Sequence, residues 1–135
     1  MNNIYAIFAE RFLRNPQQIC IETESGKTYS YADVEKETAR MARFFVSLGA
    51  NKGDRLAAQV EKSPEALLVY LAAVRAGLVY LPLNTAYQRG EMEYFLGDAQ
   101  PAIVICRPQA EQMISSLAQS AGCQHPSPRT ETRLR

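Results

Sequence analysis

The chain has 135 residues, 47% of them apolar and 21% charged, and a net charge of +1. This length suits one domain with a real core, and the near-neutral balance supplies neither the basic footprint of a nucleic-acid binder nor the cationic face of a membrane-surface protein. The longest apolar run, residues 66–74, is far short of the ~20 residues that span a bilayer, so neither nucleic acid nor membrane is expected as a partner.

Taken in order, Ile4, Tyr5, Phe8, Phe12 and Leu13 recur at helical spacing, which predicts an amphipathic helix over residues 3–14 that stops before Asn15-Pro16 and docks on the domain. Two short extended runs, residues 19–22 and 27–29, flank the turn-forming Thr23-Glu24-Ser25-Gly26 and predict a hairpin. Ser30-Tyr31-Ala32-Asp33 has the form of a capping box and opens a second helix. Along that helix Val34, Met41, Phe45 and Leu48 form one apolar stripe. Asp33, Glu35, Lys36, Glu37, Arg40 and Arg43 are expected on a solvated face.

Residues 53–87 are the most ordered part of the sequence. Residues 55–60 form an apolar run that suits a strand. Ser63-Pro64 caps and opens a helix, Arg75 complements the dipole of its last turn, and Gly77 sits where a left-handed backbone ends it. Residues 78–83 form the next strand. Two strands joined by a helix predict a parallel, right-handed βαβ unit. The helix is apolar nearly all round and is expected to be the most buried element. Met92, Phe95 and Leu96 then predict a short helix failing at Gly97-Asp98. Residues 102–106 predict a further parallel strand between Pro101 and Pro108. Ala110, Met113, Ile114, Leu117 and Ala121 predict a last helix ended by Gly122.

The expected fold is therefore α/β, a partial parallel sheet of βαβ units with an N-terminal helix and hairpin. Residues 1–123 make up the folded portion. Residues 124–135, with two prolines, three arginines and one large aliphatic, are expected to be a disordered tail.

The chemistry-bearing residues are few. Open parallel sheets bind ligands beyond the carboxyl ends of their strands, yet no phosphate-binding glycine loop follows any of these strands. Gly49 and Gly53 lie before a strand instead. Asp54 and Arg55 read as a loop salt bridge. Cys20, Cys106 and Cys123 have no metal-ligand spacing and read as reduced thiols of a cytoplasmic protein. His125 stands alone and reads as a surface residue. No catalytic, cofactor-binding or metal-binding residue is assigned.

The order KTYSYADV (27–34), GDRLAAQ (53–59), KSPEALLVYLAAVRAGLVYLPLN (62–84) and GDAQPAIVIC (97–106) resembles the N-terminal part of the AMP-forming acyl-CoA synthetases, within the adenylate-forming superfamily. Within that superfamily the chain is most similar to the malonyl-CoA synthetase branch. The resemblance covers about residues 4–122 and implies a ligase that uses ATP and Mg²⁺ to make an acyl-adenylate and passes the acyl group to coenzyme A. It also implies that the phosphate loop, the acidic residues for ribose and metal, and the catalytic lysine lie downstream of this segment. At HPSPRTETRLR the chain departs from the family pattern, and a truncated or frameshifted reading frame is the simplest account. The leading expectation is an inactive N-terminal fragment of such a ligase, binding none of these cofactors itself and exposing apolar surface where the remainder packs. Two others stand beside it: a binding or complementation module that pairs with a separately encoded remainder, and an unrelated small α/β nucleotide-binding protein.

Overall fold

Asn3 starts the first helix, α1 (Ile4–Phe12), by accepting a hydrogen bond from the Ala6 amide through its side chain (3.1 Å). In the computed structural model, which describes residues 3–120, α1 leads into the antiparallel hairpin β1 (Ile19–Glu22) and β2 (Thr28–Ser30). Ser30 and Asp33 then exchange both bonds of a capping box to launch α2 (Tyr31–Ser47). The alternating part follows as β3 (Arg55–Gln59), α3 (Pro64–Arg75), β4 (Val79–Pro82), α4 (Arg89–Ala99), β5 (Ile103–Cys106), a single 3₁₀ turn at Pro108–Ala110 and α5 (Glu111–Ser120). Ala121, Gly122, Cys123, His125 and the expected tail lie outside the described residues.

The three strands are parallel, in the order β4-β3-β5. Leu56 and Ala58 of β3 with Ile103 and Ile105 of β5 turn to one face, covered by α1, α2 and α3. Ala57 and Val104 turn to the other, covered by α4 and α5 through Met92, Leu96, Ile114 and Leu117. This alternation explains why the strands read as continuous apolar runs: both faces are inside. The hairpin forms a separate two-stranded sheet, and Tyr29 joins it to α3 by donating its hydroxyl to Glu65 at 3.2 Å.

Two expectations need correction. The most buried element is β3, not α3: every residue of β3 from Leu56 to Gln59 is buried, whereas Leu67 of α3 is 44% exposed. A central strand has neighbours on two edges and two faces, while α3 rests on the sheet by the side that carries Leu68, Leu71 and Ala72. Helix α4 does not fail at Gly97-Asp98. It runs through both to Ala99, closes on Gln100 in the left-handed region (φ 44°), and is followed by Pro101. Burial of Leu96 and Met92 against the sheet outweighs the ~1 kcal/mol that glycine costs inside a helix. The start of α4 also escaped the sequence reading: there the Gln88 amide donates to the Glu91 carboxylate at 2.9 Å.

Gly77 does adopt the left-handed backbone expected of it, with φ 78°. A Cβ at this position would meet Lys52 Cγ at 3.0 Å, and the Gly77 carbonyl accepts the Gly53 amide at 2.9 Å, so the turn ending α3 is keyed to the loop that enters β3. Among the described residues, no helix is long and apolar enough to cross a membrane.

Candidate functional site

The carboxyl ends of β3, β4 and β5 are where this architecture positions ligands. Gln59, the last residue of β3, is 1% exposed, and its carboxamide donates to the carbonyls of Asn84 (2.9 Å) and Tyr87 (3.3 Å). Asn84 turns the loop after β4 by accepting the Ala86 amide on its side chain at 2.9 Å. Directly after β5, Arg107 donates to Glu61 Oε1 at 3.1 Å and to the Thr85 carbonyl at 3.2 Å. The three loops at this end are thus laced together by the Gln59 and Arg107 side chains. Tyr87 and Phe95 stack beneath them with ring centroids 5.1 Å apart.

Neither Gln59 nor Arg107 was singled out from the sequence. The available signal was positional: a polar residue at the last place of an apolar strand, and a guanidinium one residue past another.

A second polar cluster lies on the α1–α3 side. Arg75 forms an ion pair with Glu35 Oε1 (2.8 Å) and donates to the Tyr5 hydroxyl (2.9 Å), the Glu35 carbonyl (3.1 Å) and Thr38 Oγ1 (3.3 Å). Tyr5 in turn donates to the Glu35 carboxylate, while the hydroxyl of the fully buried Thr38 donates back to the Val34 carbonyl at 2.7 Å. Burial, then the bond to Glu35, pushes the Tyr5 hydroxyl above its ordinary pKa, with Thr38 and Arg75 acting in the opposite sense. Glu35 therefore does not belong to the solvated face of α2, as its spacing suggested. Arg75 does more than complement a helix dipole: it ties α1, α2 and α3 together. The cluster borders an open groove of about 590 Å³ walled by Ala6, Ala9, Ala39, Ala42 and Val46.

Neither cluster pairs a nucleophile with a base. Cys20, half-buried, directs its thiol to the Tyr29 carbonyl (3.4 Å), and burial raises its pKa; burial, then the Glu111 charge, does the same to Cys106. Both therefore present less thiolate than an ordinary cysteine. Asp54 accepts the Asn51 amide at 2.7 Å, and no Asp54–Arg55 ion pair occurs among the described residues: the carboxylate closes its own turn instead. Among the described residues no group of three or more His, Cys, Asp or Glu side chains is placed to hold a metal. A nucleotide triphosphate with Mg²⁺ needs clustered amide donors and carboxylates. The described residues do not fit it: the Gln59 carboxamide is taken up by two carbonyls, Arg107 is tied to Glu61 and Thr85, and no cluster of carboxylates stands beside them.

Comparison with known proteins decides the relationship: the AMP-binding enzyme family matches residues 8–134. The chain belongs to that family. Apo MatB from Rhodopseudomonas palustris superposes with a TM-score of 0.85 at 47% identity, over 89% of this chain and 24% of MatB. The same protein has been solved with ATP bound. Novobiocin biosynthesis protein H of Streptomyces niveus is 35% identical over 96 residues, covering 70% of this chain and 16% of that protein. Crotonobetaine/carnitine–CoA ligase of Escherichia coli is 29% identical over 108 residues, covering 78% of this chain and 21% of the ligase. The chain thus spans a quarter or less of each of these AMP-binding relatives, and it is the N-terminal, MatB-like part of the family fold that its elements reproduce.

Proposed function

We propose that this chain is the N-terminal portion of an AMP-forming acid–CoA ligase of the malonyl-CoA synthetase type, and that it catalyses nothing by itself. The observation that carries the reading is the 47% identity to MatB over 89% of the chain, which reaches well past the sheet into α1 and the hairpin. In the complete ligase, ATP, Mg²⁺ and coenzyme A would meet the acid at a site that other segments supply. This portion contributes a scaffold: its own donors at the strand ends fix loops 60–63, 84–88 and 107–110 against one another.

Adenylation needs donors that hold the phosphates and neutralise charge as pyrophosphate leaves, each contributing several kcal/mol in comparable sites. Pyrophosphate exchange with ATP, Mg²⁺ and malonate, methylmalonate or acetate should accordingly read background. Acid-dependent exchange by the purified chain, abolished by mutating it, would overturn the reading. A second reading, a module that pairs with a separately supplied remainder, is favoured by the outer edge of β5, which no strand among the described residues pairs.

A further inference from the structure

Phe12 of α1 stacks on Tyr31 at the start of α2, with centroids 4.9 Å apart, while Tyr5, nearer the start of α1, reaches Thr38 further along α2 at 2.9 Å. The two helices therefore run antiparallel, with the open groove between them. On α2, Glu35, Ala39, Ala42, Arg43 and Val46 follow one another at helical spacing along a single wall about 16 Å long. Ala6 and Ala9 face them from α1, and the end of α3, at Arg75 and Ala76, forms the floor. Small side chains on both walls let another helix approach to the usual ~8–10 Å between axes and leave room for its larger ones. Val46, although part of the wall, is 57% exposed.

The rim is charged in one sense. Lys36, Arg40 and Arg43, at i, i+4 and i+7, form an exposed row along the crest of α2 beside this wall. Arg40 is paired with Glu37 at 2.8 Å. Lys36 and Arg43 form no ion pair among the described residues. An occupant with an acidic flank gains from this row, and a basic one is repelled. That disfavours residues 124–135 of the same chain, which carry three arginines against one glutamate. It also bears on a second copy, whose acidic helix α4 exposes Glu91, Glu93 and Asp98 but only Tyr94 among large apolar side chains, and so offers no apolar row to seat.

We propose that the α1–α2 groove docks an amphipathic helix of a partner protein, with apolar side chains at i, i+3, i+4 and i+7 on the alanines and an acidic flank along Lys36, Arg40 and Arg43. The site is independent of the ligase reading. Its floor is the end of α3, which leads into the amino end of β4, away from the carboxyl ends of the strands.

The test titrates the full chain with two synthetic helical peptides that share a leucine face, one flanked by glutamates and the other by lysines. Fluorescence anisotropy should show the glutamate peptide binding about tenfold or more tightly than the lysine peptide at low salt, with the preference fading as salt is raised. Nuclear magnetic resonance shifts should centre on Ala39, Ala42 and Val46. Arg43→Glu combined with Lys36→Glu should reverse the preference. Ala39→Leu, which fills the groove and leaves the charges, should weaken both peptides; circular dichroism checks that each variant is folded. No binding, equal binding of the two peptides, or a preference that survives the charge reversal overturns the assignment. Shifts at Ala39 and Ala42 that grow with the concentration of the chain alone would assign the groove to a second copy. Displacement of the peptide by the segment of R. palustris MatB that follows the matched part would assign it to the remainder of the ligase. Either of these also overturns the proposal, whereas the presence or absence of pyrophosphate exchange leaves it standing.

Discussion

Arg75→Met keeps the aliphatic stem of the side chain and removes the guanidinium that joins three helices. Three hydrogen bonds disappear, to the Glu35 carbonyl, the Tyr5 hydroxyl and Thr38, together with the ion pair to the Glu35 carboxylate and the stacking of the charge 4.9 Å from the Tyr5 ring centroid. The side chains of Arg75 and Glu35 are 27% and 33% exposed, between the surface and buried regimes. Exposed pairs contribute ~0–1 kcal/mol and breaking a buried one costs ~3–5 kcal/mol. The expected loss is therefore about 2 kcal/mol, since Glu35 keeps some water and Thr38 keeps its bond to Val34. Urea melts followed by far-UV circular dichroism give the number directly. For a chain of this size the Tm should fall by roughly 8 °C. Tyr5→Phe removes the hydroxyl from the same cluster, so the double variant should lose less than the sum of the singles, with a coupling of about 1 kcal/mol. A loss below ~0.5 kcal/mol for Arg75→Met, or strict additivity with Tyr5→Phe, would refute the view that this arginine ties the helices together.

Gly77→Val should destabilise by more than Ala76→Val, because a β-branched residue at φ 78° is strained by more than ~1 kcal/mol and its Cβ would press on Lys52; equal urea midpoints would remove that argument. Leu71→Ala should cost about 2–5 kcal/mol as a large-to-small change in the core, and a loss under ~0.5 kcal/mol would make α3 peripheral. The backbone and hydroxyl bonds from Ser30 hold the Asp33 carboxyl below its ordinary range. A depressed folded pKa stabilises above the unfolded value of ~3.9 and is lost as pH falls through the folded one, so the chain should weaken on acidification there. Asp33→Asn should flatten that part of the pH profile, and an unchanged profile would show that the capping carboxylate is not coupled to folding.

Helix starts were legible where a serine supplies the cap, and the start of α4 at Gln88, a residue that rarely caps, was not. Ser30 with Asp33, and Ser63 with Pro64, announce α2 and α3 within four residues of sequence, and Gly77 announces the end of α3. Features that depend on distant partners were not. Glu35 looks like any charge on a helix surface until Arg75, 40 residues away, reaches it. Gly97 reads as a stop because the sheet that holds Leu96 is built from residues far from it in sequence. Asp54 is the exception: its partner, the Asn51 amide, lies in the same turn, and an Asx-type bond there was the local alternative to a pair with Arg55. At the strand ends, Gln59 is a single polar letter after an apolar run; its contacts 25 and 28 residues on emerge only once β3 and β4 lie side by side.

The arginine cluster also sets an order of events during synthesis. Tyr5 and Arg75 are 70 residues apart, and at ~5–20 residues per second the first helix leaves the ribosome roughly 4–14 seconds before its anchor exists. Nine residues are too few to hold a helix in water unaided. Through that interval Phe8, Phe12 and the Tyr5 ring have only the partners that α2 supplies, such as Tyr31 stacked on Phe12 with centroids 4.9 Å apart, and the N-terminus is an incompletely covered apolar segment open to chaperones or to neighbouring chains. Closure arrives late and all at once, when α3 emerges and its last turn delivers the guanidinium. The first element translated is thus among the last to be secured, which makes the pace of translation across the first 75 codons a determinant of yield.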